Sequence, residues 1–207
     1  KIVENMEASL DVPTATSVRS IPAKLMEINR TIINNSLARH GGGKLSFTHL
    51  IAFAVALAVK KVPGMNVGYG EDENGKPTLI THQDLNLGLA VDVKKPNGSR
   101  SLVVPNIRNA NNMTFQQFYS AYEEMIRKVK SNKLTADDFA STTATITNPG
   151  MIGTEHSVPR LMPGQGFILG AGSIAYPAEY GGADPETIAE LGISKVLMLT
   201  STYDHRV

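Results

Sequence analysis

Hydrophobic residues in this chain follow two periods. Leu25, Ile28, Ile32, Ile33 and Leu37 recur at helical spacing, and Gly41–Gly43 ends the run after about Arg39. Pro22, whose fixed φ suits a first helical turn, is placed at the start of that helix. Residues 46–62 form a second helix, apolar on most sides, and residues 114–130 an amphipathic one with Phe115, Phe118, Tyr122, Met125, Ile126 and Val129 on one face. A short helix over residues 1–10 opens the chain. The strand signals are residues 12–18, started by Pro13, then 78–81 behind an Asn74-Gly75 turn, then 85–93. Pro96-Asn97-Gly98 turns the last of these onto a partner at 101–105. Residues 141–147, rich in threonine, and residues 166–171 and 195–203 complete the set. Helices alternate with strands that arrive partly in hairpins. This predicts one α/β domain with a mixed sheet rather than an all-parallel doubly wound one.

Composition narrows the chemistry. The 207 residues are 42% hydrophobic, enough for one sizeable core. Twenty basic and 19 acidic residues leave a formal charge of +1, and no long basic stripe interrupts the balance, so no nucleic-acid partner is expected. With no cysteine, a thiolate nucleophile, a disulfide framework and a Cys-ligated metal are all excluded. The longest apolar run, within residues 50–59, is too short to span a bilayer, and no signal peptide is legible; a cytoplasmic protein without a membrane partner is expected.

Several motifs fail on inspection. Gly43-Lys44 resembles the end of a phosphate loop, but Ala38 stands at the required glycine and Leu45 at the metal-binding hydroxyl. Gly164-Gln165-Gly166 starts a dinucleotide fingerprint that Leu169 breaks. Asn29-Arg30-Thr31 and Asn97-Gly98-Ser99 are read as chance glycosylation matches. His40 is placed at a helix end, where a histidine complements the dipole, and His49 opens an apolar helix as a satisfied structural residue. His82 lies in a polar turn, His156 in a loop, and no pair of histidines has metal-ligand spacing, so no metal site is expected.

His205 stands in a different context. The strand 195–203 is apolar in its first half and polar in its second, and it delivers Asp204-His205-Arg206 at its end. Taken alone, that triplet reads more readily as a solvated turn than as a site. The order of motifs along the chain changes the reading. Thr145-Ile146-Thr147-Asn148-Pro149-Gly150 forms a strand and turn, followed by Pro163-Gly164-Gln165-Gly166-Phe167-Ile168-Leu169-Gly170 and by Thr202-Tyr203-Asp204-His205-Arg206-Val207. Upstream lie Ser46-Phe47-Thr48-His49-Leu50-Ile51, Asn86-Leu87-Gly88-Leu89-Ala90-Val91-Asp92 and Leu102-Val103-Val104-Pro105-Asn106-Ile107. In this order the chain resembles, over essentially its whole length, the catalytic acyltransferase domain of the 2-oxoacid dehydrogenase complexes. Val3-Glu4-Asn5-Met6-Glu7-Ala8-Ser9, Val12-Pro13-Thr14-Ala15-Thr16-Ser17-Val18-Arg19 and His156-Ser157-Val158-Pro159-Arg160-Leu161 are similar to one branch, the fused 2-oxoglutarate dehydrogenases. In that branch the acyltransferase domain precedes a thiamine-diphosphate-dependent decarboxylase.

The resemblance implies a chloramphenicol-acetyltransferase-like mixed sheet flanked by helices. It implies succinyl transfer between the thiols of dihydrolipoamide and coenzyme A, as part of 2-oxoglutarate dehydrogenase activity in the tricarboxylic acid cycle. His205 is then the general base and Thr147 the hydroxyl donor to the oxyanion, with Asp204 and Arg206 as supports that pair with each other or with the fold. The implied partners are a lipoyl domain, a 2-oxoacid decarboxylase, dihydrolipoamide dehydrogenase and further copies of the chain. The family forms trimers in which His205 and Thr147 approach the substrate from different subunits. Thiamine diphosphate and Mg2+ are expected only in a fused region outside this chain. The family also carries a polar residue four positions after the histidine and a closing helix. The sequence stops at Val207, so residues 1–207 are read as an acyltransferase domain truncated at the Asp-His-Arg motif. Two alternatives stand beside this reading. One is an oligomerising scaffold for the fused decarboxylase. The other is a chloramphenicol-type O-acetyltransferase, disfavoured because that family has a second histidine where Asp204 stands.

Overall fold

A computed structural model describes residues 2–94 and 97–207. In chain order the elements are α1 (Ile2–Ala8), β1 (Thr14–Pro22), α2 (Lys24–Arg39), α3 (Phe47–Lys61), β2 (Val67–Glu71), β3 (Pro77–Thr81), β4 (Leu87–Leu89) and β5 (Val91–Lys94). They continue with β6 (Arg100–Val103), β7 (Asn106–Ile107), α4 (Phe115–Lys130), β8 (Ala144–Thr147), β9 (Phe167–Ala175), α5 (Pro185–Glu190) and β10 (Val196–Asp204). Six strands form one mixed sheet in the order β1-β10-β9-β8-β4-β7. β8 runs parallel to both β4 and β9, and the other pairings are antiparallel. The hairpins β2–β3 and β5–β6 stand apart from it. Of the turn expected at Pro96-Asn97-Gly98, Pro96 lies outside the described residues, as does Lys1 of the first helix.

Strand parity divides the sheet into two chemically distinct faces. Leu87 and Leu89 of β4, Ala144 and Ile146 of β8, and Phe167 and Ala171 of β9 point to one side. There they pack with Ile51, Ala52, Ala56 and Val59 of α3 and with Phe118 of α4. Burying Phe118 completely is worth about 1.5–3 kcal/mol, and this cluster supplies much of the driving force for folding. The alternate positions carry Thr145, Thr147, Thr200 and Thr202 to the opposite face. Both core helices begin with reciprocal caps, Ser46 with His49 on α3 and Thr114 with Gln117 on α4.

Two expectations are corrected. Pro22 is the last residue of β1, paired with Val196, and the helix begins at Lys24. β1 lies at the sheet edge, where a residue without an N–H is tolerated. The strand expected over 85–93 is two strands. Ala90 donates its N–H to the Ile146 carbonyl (2.9 Å), and the chain then leaves the sheet to pair with β6. The apolar row of α2 faces outward, with Leu25 70%, Ile28 46% and Ile32 60% exposed. Met26 packs against the core, and polar groups hold the rest of the helix. Asn34 exchanges hydrogen bonds with the Leu45 backbone (2.7 and 3.0 Å), and Arg30 donates to the same carbonyl while lying 4.4 Å from the Phe47 ring centre. No helix among the described residues is long and apolar enough to cross a membrane.

Candidate active site

The end of β10 is tied down by its own side chains. Thr202 shares a hydroxyl hydrogen bond with Thr16 of β1 (3.0 Å), and Asp204 is 2% exposed. The Arg206 backbone N–H and Nε both donate to Asp204 Oδ1 (3.0 and 2.9 Å), and Arg206 Nη2 donates to Oδ2 (2.7 Å). The guanidinium also lies 3.7 Å from the centre of the Tyr69 ring of β2. Burial pushes the Asp204 carboxyl up, but the hydrogen bonds and charge of Arg206 together outweigh it and hold the group below the usual aspartate range. Between the two, His205 donates its backbone N–H to the Pro13 carbonyl (2.9 Å). Its ring is exposed and stacked beside Tyr203 at 6.3 Å. Asp204 and Arg206 thus pair with each other and fix the turn, while the imidazole is presented outward.

Thr147 ends β8 on the other face of the sheet and lines a cleft of about 1330 Å³. In the same wall, Thr145 donates to Gln165 Oε1 at 2.7 Å. The turn after Thr147 is rigid for two reasons. Asn148 Nδ2 donates to Thr48 Oγ1 (2.9 Å), and Gly150 packs on backbone so closely that a Cβ there would lie 2.0 Å from the Gly172 carbonyl oxygen. Only glycine fits, which gives the Thr-Asn-x-Gly pattern a steric cause.

One chain does not bring Thr147 and His205 together. Tyr203 is level with Phe167, and Phe167 with Ala144. Thr147 lies beyond Ala144 in one direction, and His205 lies beyond Tyr203 in the other. With strand rise and spacing of about 3.3 and 4.8 Å, their Cα atoms are roughly 15–20 Å apart. A histidine and a hydroxyl that far apart cannot serve one carbonyl within a single protomer.

The remaining histidines have other surroundings. His49 is 3% exposed. Its Nδ1 accepts the Ser46 backbone N–H (3.1 Å), so Nε2 carries the proton and donates to Glu123 Oε1 (3.0 Å). Burial lowers its pKa, with Glu123 opposing. This is the structural role expected of it. His40 bonds the Ser36 carbonyl at the end of α2 (2.8 Å). His82 lines the cleft, and its buried Nε2 has no partner among the described residues. The cleft itself, with Arg160, Gln165 and Thr145 in its wall, was not legible as a site from the sequence. The Pro163-Gly164-Gln165 segment was the one sequence signal that could have found it.

A mixed sheet flanked by helices, with an Asp-His-Arg turn closing its last central strand, is the chloramphenicol-acetyltransferase-like architecture of an acyltransferase. The sequence profile of the 2-oxoacid dehydrogenases acyltransferase (catalytic domain) matches residues 1–207, and the chain belongs to that family. It is 58% identical over 206 residues to the multifunctional 2-oxoglutarate metabolism enzyme of Mycolicibacterium vanbaalenii and 57% identical to that of Mycobacterium sp. (strain JLS). All of this chain is covered but only 16% of those relatives' length. Among solved structures, the dihydrolipoamide acetyltransferase of Azotobacter vinelandii, studied for the roles of a serine, a histidine and an asparagine in its catalytic mechanism, superposes with a TM-score of 0.79 at 28% identity. That match covers 99% of this chain and 79% of the other. A probable dihydrolipoamide acetyltransferase from Listeria monocytogenes shares the fold, with a TM-score of 0.83 at 24% identity, covering 100% and 82%.

Proposed function

We propose that this domain moves a succinyl group between the thiols of dihydrolipoamide and coenzyme A. His205 is the general base and Thr147 the oxyanion donor, and the two come from adjacent subunits of a trimer. A free thiol titrates near ~8.5 and is a weak nucleophile until deprotonated. His205 takes the thiol proton as the sulfur attacks the thioester carbonyl, worth roughly 10²–10⁴-fold. The carbonyl π electrons move to oxygen, which accepts a hydrogen bond from the Thr147 hydroxyl. The tetrahedral adduct then reforms its carbonyl and expels the other sulfur, which recovers the proton from His205. Asp204 and Arg206 act by holding the turn.

The observation that carries this reading is the Asp204–Arg206 lock, which leaves His205 exposed at the end of β10 in a chain of this family. The outward apolar row of α2 supports an oligomer, and succinyl specificity rests on the relatives' 2-oxoglutarate metabolism. The lipoyl group arrives on a lipoyl domain, charged by a 2-oxoacid decarboxylase and reoxidised by dihydrolipoamide dehydrogenase. Thiamine diphosphate and Mg2+ belong to the decarboxylase, outside residues 1–207. The test is succinyl transfer from succinyl-CoA to dihydrolipoamide by the full natural protein. His205→Ala lowers the rate by roughly 10²–10⁴-fold. An unchanged rate with altered assembly would instead make the domain a scaffold.

A further inference from the structure

The cleft beside Thr147 has a polarity that the transfer chemistry does not use. Residues 157–166 cross the sheet face alongside β8 and β9. A Cβ on Gly170, the residue paired with Thr147, would lie 3.1 Å from Ser157 Oγ and 3.5 Å from Pro159 Cδ. Leu161, 1% exposed, packs with Val12 and with Ile168, the residue paired with Thr145. Farther on, Gly166 donates its N–H to the Thr143 carbonyl (3.0 Å). Arg160 therefore sits between the levels of Thr147 and Thr145, its backbone held by Pro159 on one side and a buried leucine on the other. Its side chain lines the same cleft as both threonines.

Arg160 is the one lysine or arginine among the described residues that line this cleft. It has no hydrogen-bond or ion-pair partner among them. The lone carboxylate among the described residues of that wall, Asp84, precedes β4 at the opposite end and accepts from Asn112 Nδ2 (2.9 Å). The cleft thus offers an uncommitted guanidinium in the same lining as the proposed oxyanion donor. A guanidinium fork matches a carboxylate in shape as well as in charge. In a succinyl thioester, the free carboxylate lies three carbon–carbon bonds from the reacting carbonyl.

We propose that Arg160 binds the distal carboxylate of the acyl group and selects succinyl over uncharged acyl chains of the same length. The assignment rests on the transfer reading above. Its test compares succinyl-CoA with butyryl-CoA, which replaces the carboxylate by a methyl group, in the full natural protein and its Arg160→Gln and Arg160→Lys variants. Loss of a hydrogen-bonded charge predicts a fall of about 10- to 100-fold in kcat/KM for succinyl in Arg160→Gln. Butyryl transfer stays within about twofold, and Arg160→Lys keeps part of the preference. An equal fall for both donors, as expected if the guanidinium binds the coenzyme phosphates, overturns the proposal, and so does no change for either. If the unaltered protein transfers neither group, the transfer reading fails, and equilibrium binding of the two thioesters decides the Arg160 assignment alone. A succinyl preference lost in Arg160→Gln supports it, and equal affinities overturn it.

Discussion

Asp204→Asn separates the support of the histidine from the histidine itself. The carboxylate is 2% exposed and accepts from Arg206 Nε, Nη2 and the backbone N–H at 2.9, 2.7 and 3.0 Å. Asparagine keeps one oxygen for two of these bonds but turns an N–H donor toward Nη2. Hydrogen bonds to charged groups are worth about 1.5–3 kcal/mol. The Arg206 side chain is 32% exposed and can rehydrate, so the lower end applies, about 1.5–2 kcal/mol. For a domain of this size that is a fall of roughly 3–8 °C in Tm, read at fixed protein concentration. The pH dependence adds a sign. The folded carboxyl titrates below the ordinary aspartate value of 3.8, so its contribution is present above that pH and is lost as pH falls through the lower folded value. The stability gap between wild type and Asp204→Asn, measured by urea denaturation, therefore closes as pH falls below about 3.8. Because the same lock fixes the His205 turn, acyl transfer at neutral pH falls while the protein is still fully folded. A gap that does not change with pH, or full activity in the folded variant, refutes the reasoning.

Two further outcomes follow from buried contacts. His49 is neutral in the folded protein because burial lowers its pKa, while the unfolded chain takes up a proton below about 6.5, so its contribution is lost as pH drops from that value. His49→Gln flattens this part of the urea-denaturation profile between neutral pH and pH 5. Gly150→Ala forces a methyl group to 2.0 Å from the Gly172 carbonyl oxygen and costs about 3 kcal/mol or more in chemical denaturation, with loss of transfer as the Thr147 turn shifts.

Elements with a strong period were readable in advance. α4 begins one residue after Thr114 and ends at Lys130, and its reciprocal cap with Gln117 is written in the sequence. β2 was missed because Gly68 and Gly70 break its alternation. Gly68 is there because a Cβ would lie 2.9 Å from the Gly164 carbonyl oxygen, a tertiary contact with no local signature. α5 was missed although Asp184 caps it through the N–H groups of Glu186 and Thr187 and Pro185 starts it; its six residues are too short to show a period. For α2 the period was legible, but the side its apolar row faces was not. Its apolar row faces outward because Arg30 and Asn34 hold the segment around Leu45 from the other side. The chemistry divides in the same way. His205 and Thr147 rest on ordered motifs, whereas the role proposed for Arg160 gains meaning only from the fold, which brings it into the cleft that Thr147 and Thr145 line.

Subunit complementation tests the central claim most directly. His205→Ala and Thr147→Ala proteins, each deficient in succinyl transfer, are unfolded together, refolded and assayed against each alone. If His205 and Thr147 act across a subunit boundary, random mixing rebuilds intact sites at about a quarter of the interfaces, and close to a quarter of wild-type activity returns. If mixing restores nothing although mixed oligomers form, the two residues do not meet across subunits, and the proposed site is wrong.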